Sequence, residues 1–497
     1  MVVLVIGAAI FRLAKPIALC FGTERDFVRR RNLWFALTVA EFAIPNFWAF
    51  VLVAIPILIW GRRKDTNPTA LYLLLLHAIP PITMDIPVVG INALFRLDNY
   101  RLLSFFVLIP TAWRLRQSKD LARLRALTAM DILLIAYGAL QVALYVVPDM
   151  PDQAFLHDSA TNVLRRAFLF YVDVYVLFFV VSRSLSNRRA LAEAQAAFCV
   201  SCAVMAAVAI FESMRHWLLY VDIAIRWKGV PGAGIYLMRG NSLRALASSA
   251  NSLSLGYLLA IAFGLWLYLQ SHVEPMRKRI IVVLLYWLGL LATYSRGPWL
   301  SALVIYFAFA ALSPGASSRL FKATGVALLV AAAISLSPLG ERIASVTPFL
   351  GGSVDVGSIV YRQRLAARSW ELIREHPFFG DQLMYSKMED LRQGQGIIDL
   401  VNTYAEVALQ YGLIGLALFV GFILVGLFKV YRLARATVPC DPDLALLGVS
   451  LVACILGTLV TFTTTSFDLG ITKLYYVLGG FAAAYAHLAR SPESSRC

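Results

Sequence analysis

The chain is 497 residues long and 60% hydrophobic, with a mean hydropathy of +0.72, which excludes an ordinary soluble globular domain. It carries 45 Lys and Arg against 29 Asp and Glu, a net charge of +16, but the basic residues come in short clusters between apolar runs. That arrangement argues against a nucleic-acid surface and for the basic loops of a membrane protein.

In chain order, apolar stretches fall at roughly 2–21, 34–60, 70–83, 99–113, 126–147, 166–182, 191–213, 245–269, 280–294, 298–312, 322–338, 402–428, 444–465 and 473–489. Most approach the ~17–25 residues that cross a bilayer as a helix, and their continuity excludes a transmembrane barrel. The expected fold is an all-α polytopic membrane protein of about 12–14 transmembrane helices. Residues 1–338 read as a bundle, 339–401 as a long polar, partly helical insert, and 402–497 as C-terminal helices of the same domain. The apolar N-terminus is broken by Arg12 and Lys15 and reads as retained rather than as a cleavable signal.

Charge then assigns sides. The loops at 114–125, 183–190, 271–279, 313–322 and 429–440 are basic and should face the cytoplasm. Those at 148–163, 214–243, 339–401 and 466–472 fall on the opposite face. The basic cluster Glu24 to Arg31 breaks this pattern if 2–21 and 34–60 each span once; a hairpin turning at Pro45-Asn46 would change the parity.

Ionisable residues inside the apolar runs are costly, so they are paired or functional. They are Glu41, Asp85, Asp131, Asp173, Glu193, Glu212, Arg244, Arg296, Glu406 and Asp468. Arg244 opens a run of small residues to Leu253, expected to allow close helix approach. Arg296 lies in Tyr294-Ser295-Arg296-Gly297-Pro298-Trp299, a tight break between two helices. By sidedness both share one face with the insert and Asp468.

Within the insert, Ile359 to Glu375 reads as an amphipathic helix, with Arg364, Arg368, Glu371 and Glu375 on one stripe and Ala366, Trp370 and Ile373 on another. Arg362 lies off the charged stripe. Guanidinium forks match phosphate oxygens, so Arg362 and Arg364 joined to Arg244 and Arg296 would suit a diphosphate. His376 is either a base or a cation capping the helix that Pro377 and Gly380 stop. Asp441-Pro442-Asp443 reads as a turn, although such a pair also occurs in metal sites. The six cysteines and the His and Asp residues show no metal-ligand spacing, so any enzymatic mechanism is expected to need no metal and no cofactor.

Three pieces together resemble the bacterial O-antigen ligase and polysaccharide polymerase family. They are Arg244-Ala245-x-x-Ser248, Ser295-Arg296-Gly297-x-Trp299, and the insert from Tyr361-Arg362 through Gly380 to Asn402-Thr403-Tyr404 and Tyr411-Gly412-Leu413-Ile414-Gly415-Leu416. The resemblance covers roughly 240–430. It implies a class C glycosyltransferase fold in the bacterial inner membrane, with the active site facing the periplasm. The substrate would be a glycan on undecaprenyl diphosphate, with membrane lipid around it and other polysaccharide-assembly proteins as candidate partners. The family's arginines hold the diphosphate, which maps to Arg244 and Arg296, with Ser295, Asn402 and Tyr404 in supporting positions. Ligases typically carry a His just before the Asn of the Asn-x-Tyr motif as the proposed base. Here that position is Val401, and the nearest ionisable group is Asp399, with Glu406 in reserve. The departure favours a polymerase over a ligase that delivers its glycan to lipid A-core. A flippase, the reading from another class, would want charges near mid-membrane and an aqueous path.

Overall fold

A computed structural model describes residues 1–87, 94–117, 127–146, 160–228, 236–239, 242–249, 251–314, 356–392, 398–466 and 468–490. The apolar stretch 322–338 and the boundary placed at 338/339 lie outside the described residues.

The chain is helical nearly throughout. The helices are α1 (Val2–Phe21), α2 (Glu24–Ala43), α3 (Phe47–Lys64), α4 (Pro68–Leu75), α5 (99–117, with a π turn at Ser104–Leu108) and α6 (Ala129–Val146). Then come α7 (160–184, with a π turn at Tyr171–Tyr175), α8 (Arg188–Arg215), α9 (Val221–Arg226), α10 (Ser252–Leu269), α11 (Met276–Ala292) and α12 (Arg296–Leu312). The insert contributes α13 (Val356–Glu375) and a 3-10 turn (Ser386–Leu391); α14 (Thr403–Thr437), α15 (Pro442–Thr461) and α16 (Leu469–Leu488) complete the chain. Among the described residues, α1, α8, α10, α14 and α15 are each long and apolar enough to cross a membrane. At 1.5 Å per residue, a 20-residue helix such as α1 or α15 covers about 30 Å, the thickness of the hydrocarbon core.

Two stretches depart from the sequence reading. The run 34–60 is not one span. It breaks before Asn46, whose side chain accepts from the amides of Trp48 and Ala49 and starts α3. The hairpin alternative therefore holds, and the Glu24–Arg31 cluster moves to the end of the bundle that carries the other basic loops. The run 70–83 supplies only the short α4. Its freed carbonyls are buried, so they need partners inside the protein. Asn99 Nδ2 donates to Leu76 O at 3.1 Å and to Ile79 O at 2.7 Å, and Ser248 Oγ donates to His77 O at 2.7 Å.

Ion pairs bind the basic end together. Arg30 bridges Asp65 at 2.6 Å and Glu193 at 2.8 Å, and Arg183 holds Asp131 at 2.8 Å. Removing one partner of such a buried pair costs about 3–5 kcal/mol, because the other charge is stranded. Asp441 caps α15 and pairs with Arg188, as does Asp443, so these two carboxylates form a capped turn. Deeper in the bundle, Asp173 is shared by Arg101 at 2.9 Å and the fully buried Lys473 at 2.7 Å.

The insert is fastened to α14 by backbone. Asp381 N donates to Leu409 O at 2.7 Å, and Leu413 N donates to Pro377 O at 2.8 Å. Gly380 and Gly412, both with φ near +70°, face each other at this crossing, and a Cβ on Gly412 would overlap the Phe378 carbonyl. Gly412 also breaks α14, separating 403–411 from the rest. The carbonyls and amides freed by that break are those the insert takes up. Leu365, Leu372, Met384, Met388, Leu391, Leu400 and Leu409 form a small core beneath the insert. The buried stripe of α13 is thus Leu365, Ser369 and Leu372 rather than Ala366, Trp370 and Ile373; Trp370 is exposed, with the Arg374 guanidinium over its ring.

Candidate active site

The end of the bundle opposite the ion pairs gathers residues from six separate parts of the chain. The first is the segment around Arg244. It does not open a helix, as the small-residue run suggested. A two-residue hairpin pairs Met238–Arg239 with Ser242–Leu243, and the chain then turns through Ala247 at φ 47° before Asn251 caps α10. Glu212, buried at the end of α8, makes this turn possible. Its carboxylate accepts from the amides of Leu219 at 2.9 Å, Leu246 at 3.0 Å and Ala247 at 2.8 Å. Three amides on one carboxylate supply the charge stabilisation that burial removes.

Arg244 is thereby held against the break between α11 and α12. Nη2 donates to Ser295 Oγ at 3.0 Å and Nε to Thr293 O at 3.3 Å. Ser295 precedes α12 without capping it, and its hydroxyl also donates to Ser252 O at 3.3 Å. Burial lowers the Arg244 pKa, and the Asp399 carboxylate nearby works the other way. Among the described residues, Nη1 of Arg244 has no hydrogen-bond partner.

Arg296 begins α12. Its Nε is buried and makes no hydrogen bond among the described residues, and the Arg362 charge acts on it repulsively. Like charges placed together without an intervening carboxylate are destabilising unless an anion joins them. Arg362 and Arg364 are both exposed, and Arg364 sits two positions further along α13, about 200° around the axis from Arg362. The two flank the buried stripe on opposite sides, so the structure brings Arg362 to the cluster and not Arg364.

Asp399 lies where the insert returns to the membrane helices. Its main chain is clasped by Tyr361, whose hydroxyl donates to Asp399 O and accepts from Asp399 N, each at 3.2 Å. Its carboxylate Oδ1 accepts from Val401 N at 3.3 Å and from the Ser466 hydroxyl. Both bonds fall on Oδ1, which leaves Oδ2 as the oxygen to take a proton. Val401 adopts φ 35°, and Asn402 then caps α14 through the amides of Tyr404 and Ala405. Asn402 and Tyr404 are committed to the fold: the Tyr404 hydroxyl donates to Leu459 O at 2.7 Å. Glu406 lies one turn into α14, against the Tyr385 hydroxyl. His376 is elsewhere, contacting Lys387 Nζ at 3.4 Å, fourteen residues and thus about 21 Å along α13 from Arg362. Asp468 caps α16 and accepts from Asn251 Nδ2 at 2.5 Å and from Ser254.

Among the described residues no group of His, Cys, Asp and Glu has the makings of a metal site. What the arrangement offers, among the described residues, is Arg296 beside Arg362 with no carboxylate pairing either, and Arg244 with Asp399 nearby.

Residues 280–420 match a family model described as O-antigen ligase. Over that stretch, well under half of the chain, the sequence is similar to the O-antigen ligase/polymerase family. The family's chemistry is glycosyl transfer, and the matched stretch contains Arg296, Arg362, Asp399 and Glu406. Arg244, Glu212 and Ser466 lie outside it and reach the family segment only through folding. No curated protein matches the chain.

Sequence reasoning singled out Arg244, Arg296, Arg362 and Asp399, which the structure brings to one end of the bundle. It placed Glu212 among the buried ionisable groups without a role, and it missed Ser466 and Tyr385. Ser466 stands 67 residues from Asp399, and nothing in its local sequence marks it.

Proposed function

We propose that the chain is a polysaccharide polymerase that takes a glycan from undecaprenyl diphosphate and joins it to a sugar hydroxyl of a second lipid-linked repeat unit. The single observation that carries this reading is the pair of Arg296 and Arg362, without a carboxylate partner among the described residues, next to the break that holds Arg244. A diphosphate is already a good leaving group, and guanidinium donors fixed in place before reaction stabilise the charge it gathers as it departs. Asp399 accepts the proton of the attacking hydroxyl, the oxygen attacks the anomeric carbon, and the bond to the diphosphate breaks. The prenyl diphosphate leaves on the arginines, and attack from the opposite side inverts the anomeric centre. The chemistry so read asks nothing of a metal. The positive-inside rule puts the Arg30 and Arg183 end in the cytoplasm and this site on the periplasmic face of the inner membrane.

Transfer to lipid A-core is the second reading. The presence of Val401 where ligases carry their histidine favours the polymerase.

The test is polymer formation in a strain carrying Arg296→Ala or Arg244→Ala, with the amount of membrane-inserted protein measured alongside. Each substitution is expected to abolish polymer at normal protein level. Wild-type polymer from the Arg296→Ala strain would overturn the diphosphate role.

A further inference from the structure

The transfer reaction needs two substrates, and the arginines account for only one. Near Asp399 lies Tyr385, the residue that starts the insert's 3-10 turn, against the first turns of α14. It is 38% exposed. Its hydroxyl meets the side chains of Glu406 and Gln410, and the Asp399 carboxylate also acts on it. Gln382 Nε2 donates to Gln410 O at 2.9 Å, and Asp381 N donates to Leu409 O at 2.7 Å, so the segment leading to Tyr385 is tied to α14. Burial and the two carboxylates raise the phenol's pKa, which keeps it a hydrogen-bond donor at working pH.

We propose that Tyr385, with Glu406 and Gln410, forms the acceptor subsite, which holds the sugar whose hydroxyl attacks. This inference rests on the glycosyl-transfer reading. An exposed aromatic face takes the apolar C–H face of a sugar ring, and carboxylate and amide groups around its rim satisfy the hydroxyls. The Asp399 carboxylate acts on the Tyr385 hydroxyl, so an acceptor seated on Tyr385 presents its own hydroxyl to Asp399. Tyr385 is a binding residue in this scheme, with no part in proton transfer.

The experiment uses the full chain in nanodiscs and two probes. Undecaprenyl diphosphate reports the donor site. Oligosaccharide freed by mild acid from lipid-linked repeats, extracted from a strain lacking this chain, has no diphosphate and reports the acceptor site. Wild-type protein should bind both. Tyr385→Ala should bind the oligosaccharide at least about tenfold more weakly while holding undecaprenyl diphosphate as the wild type does. Tyr385→Phe, which keeps the ring, should stay within severalfold of wild type for both. Oligosaccharide binding by Tyr385→Ala within twofold of wild type overturns the proposal, as does wild-type protein that ignores the oligosaccharide. Parallel loss of both probes in Tyr385→Ala also overturns it, since the ring would then be supporting the insert. Failure of the wild type to bind undecaprenyl diphosphate instead strikes the functional reading beneath.

Discussion

Asp399 is fixed by its neighbours before any substrate arrives. Tyr361 holds its backbone on both sides, and Ser466 and Val401 N hold one carboxylate oxygen. Arg244 supplies a positive charge close by. A carboxylate so placed is oriented before the acceptor hydroxyl arrives. Asp399→Asn preserves shape and hydrogen-bonding capacity while removing the base, so turnover should fall roughly 10²-fold or more. The measurement is single-turnover transfer with protein level normalised; near-normal turnover would move the role to Glu406. The residue types at this site were legible in the sequence because arginine and aspartate are conspicuous in an apolar chain. Their partners were not. Glu212 reaches Ala247 across 35 residues, and Ser466 is one of many serines and threonines whose use is decided by packing.

The element that matters most is the crossing of the insert with α14. Gly380 and Gly412 both take positive φ, and the peptide groups of 377–381 and 409–414 exchange hydrogen bonds there. Alanine at 412 meets two penalties, a left-handed backbone costing on the order of 1–3 kcal/mol and a collision with the Phe378 carbonyl. Gly412→Ala should loosen the insert, raising its susceptibility to limited proteolysis and lowering transfer, with the membrane bundle intact. Gly421→Ala on the same helix is the control: its Cβ would meet only Leu133 at 3.9 Å, an ordinary contact, and proteolysis should match wild type. Helices and their breaks were readable where proline, glycine or asparagine announces them, as at Pro45-Asn46 and Ser295. The broken path after α4 and the turn after Arg244 were not. Both sequences are apolar enough to be helical, and both are held open by distant groups, Asn99 in one case and Glu212 in the other.

At the scale of the molecule, charge is sorted by end. Arg30, Arg183 and Arg188 each have carboxylate partners at one end, where Arg62 nonetheless stands beside Arg63 and Arg114 with its Nε unbonded among the described residues. At the other end Arg296 and Arg362 act on each other with no carboxylate pairing either among the described residues. Composition made the membrane class plain, because it is a sum over many residues. Which arginines would be left unpaired depends on the folded arrangement and could not be summed. The most direct measurement is a cryo-EM structure of the full chain in nanodiscs with saturating undecaprenyl diphosphate. The diphosphate should lie within hydrogen-bonding distance of the Arg296 and Arg362 guanidinium groups, with Arg244 on its flank. A diphosphate seated at the Arg30 and Arg183 end, or no bound lipid at the arginine pair, would contradict the account.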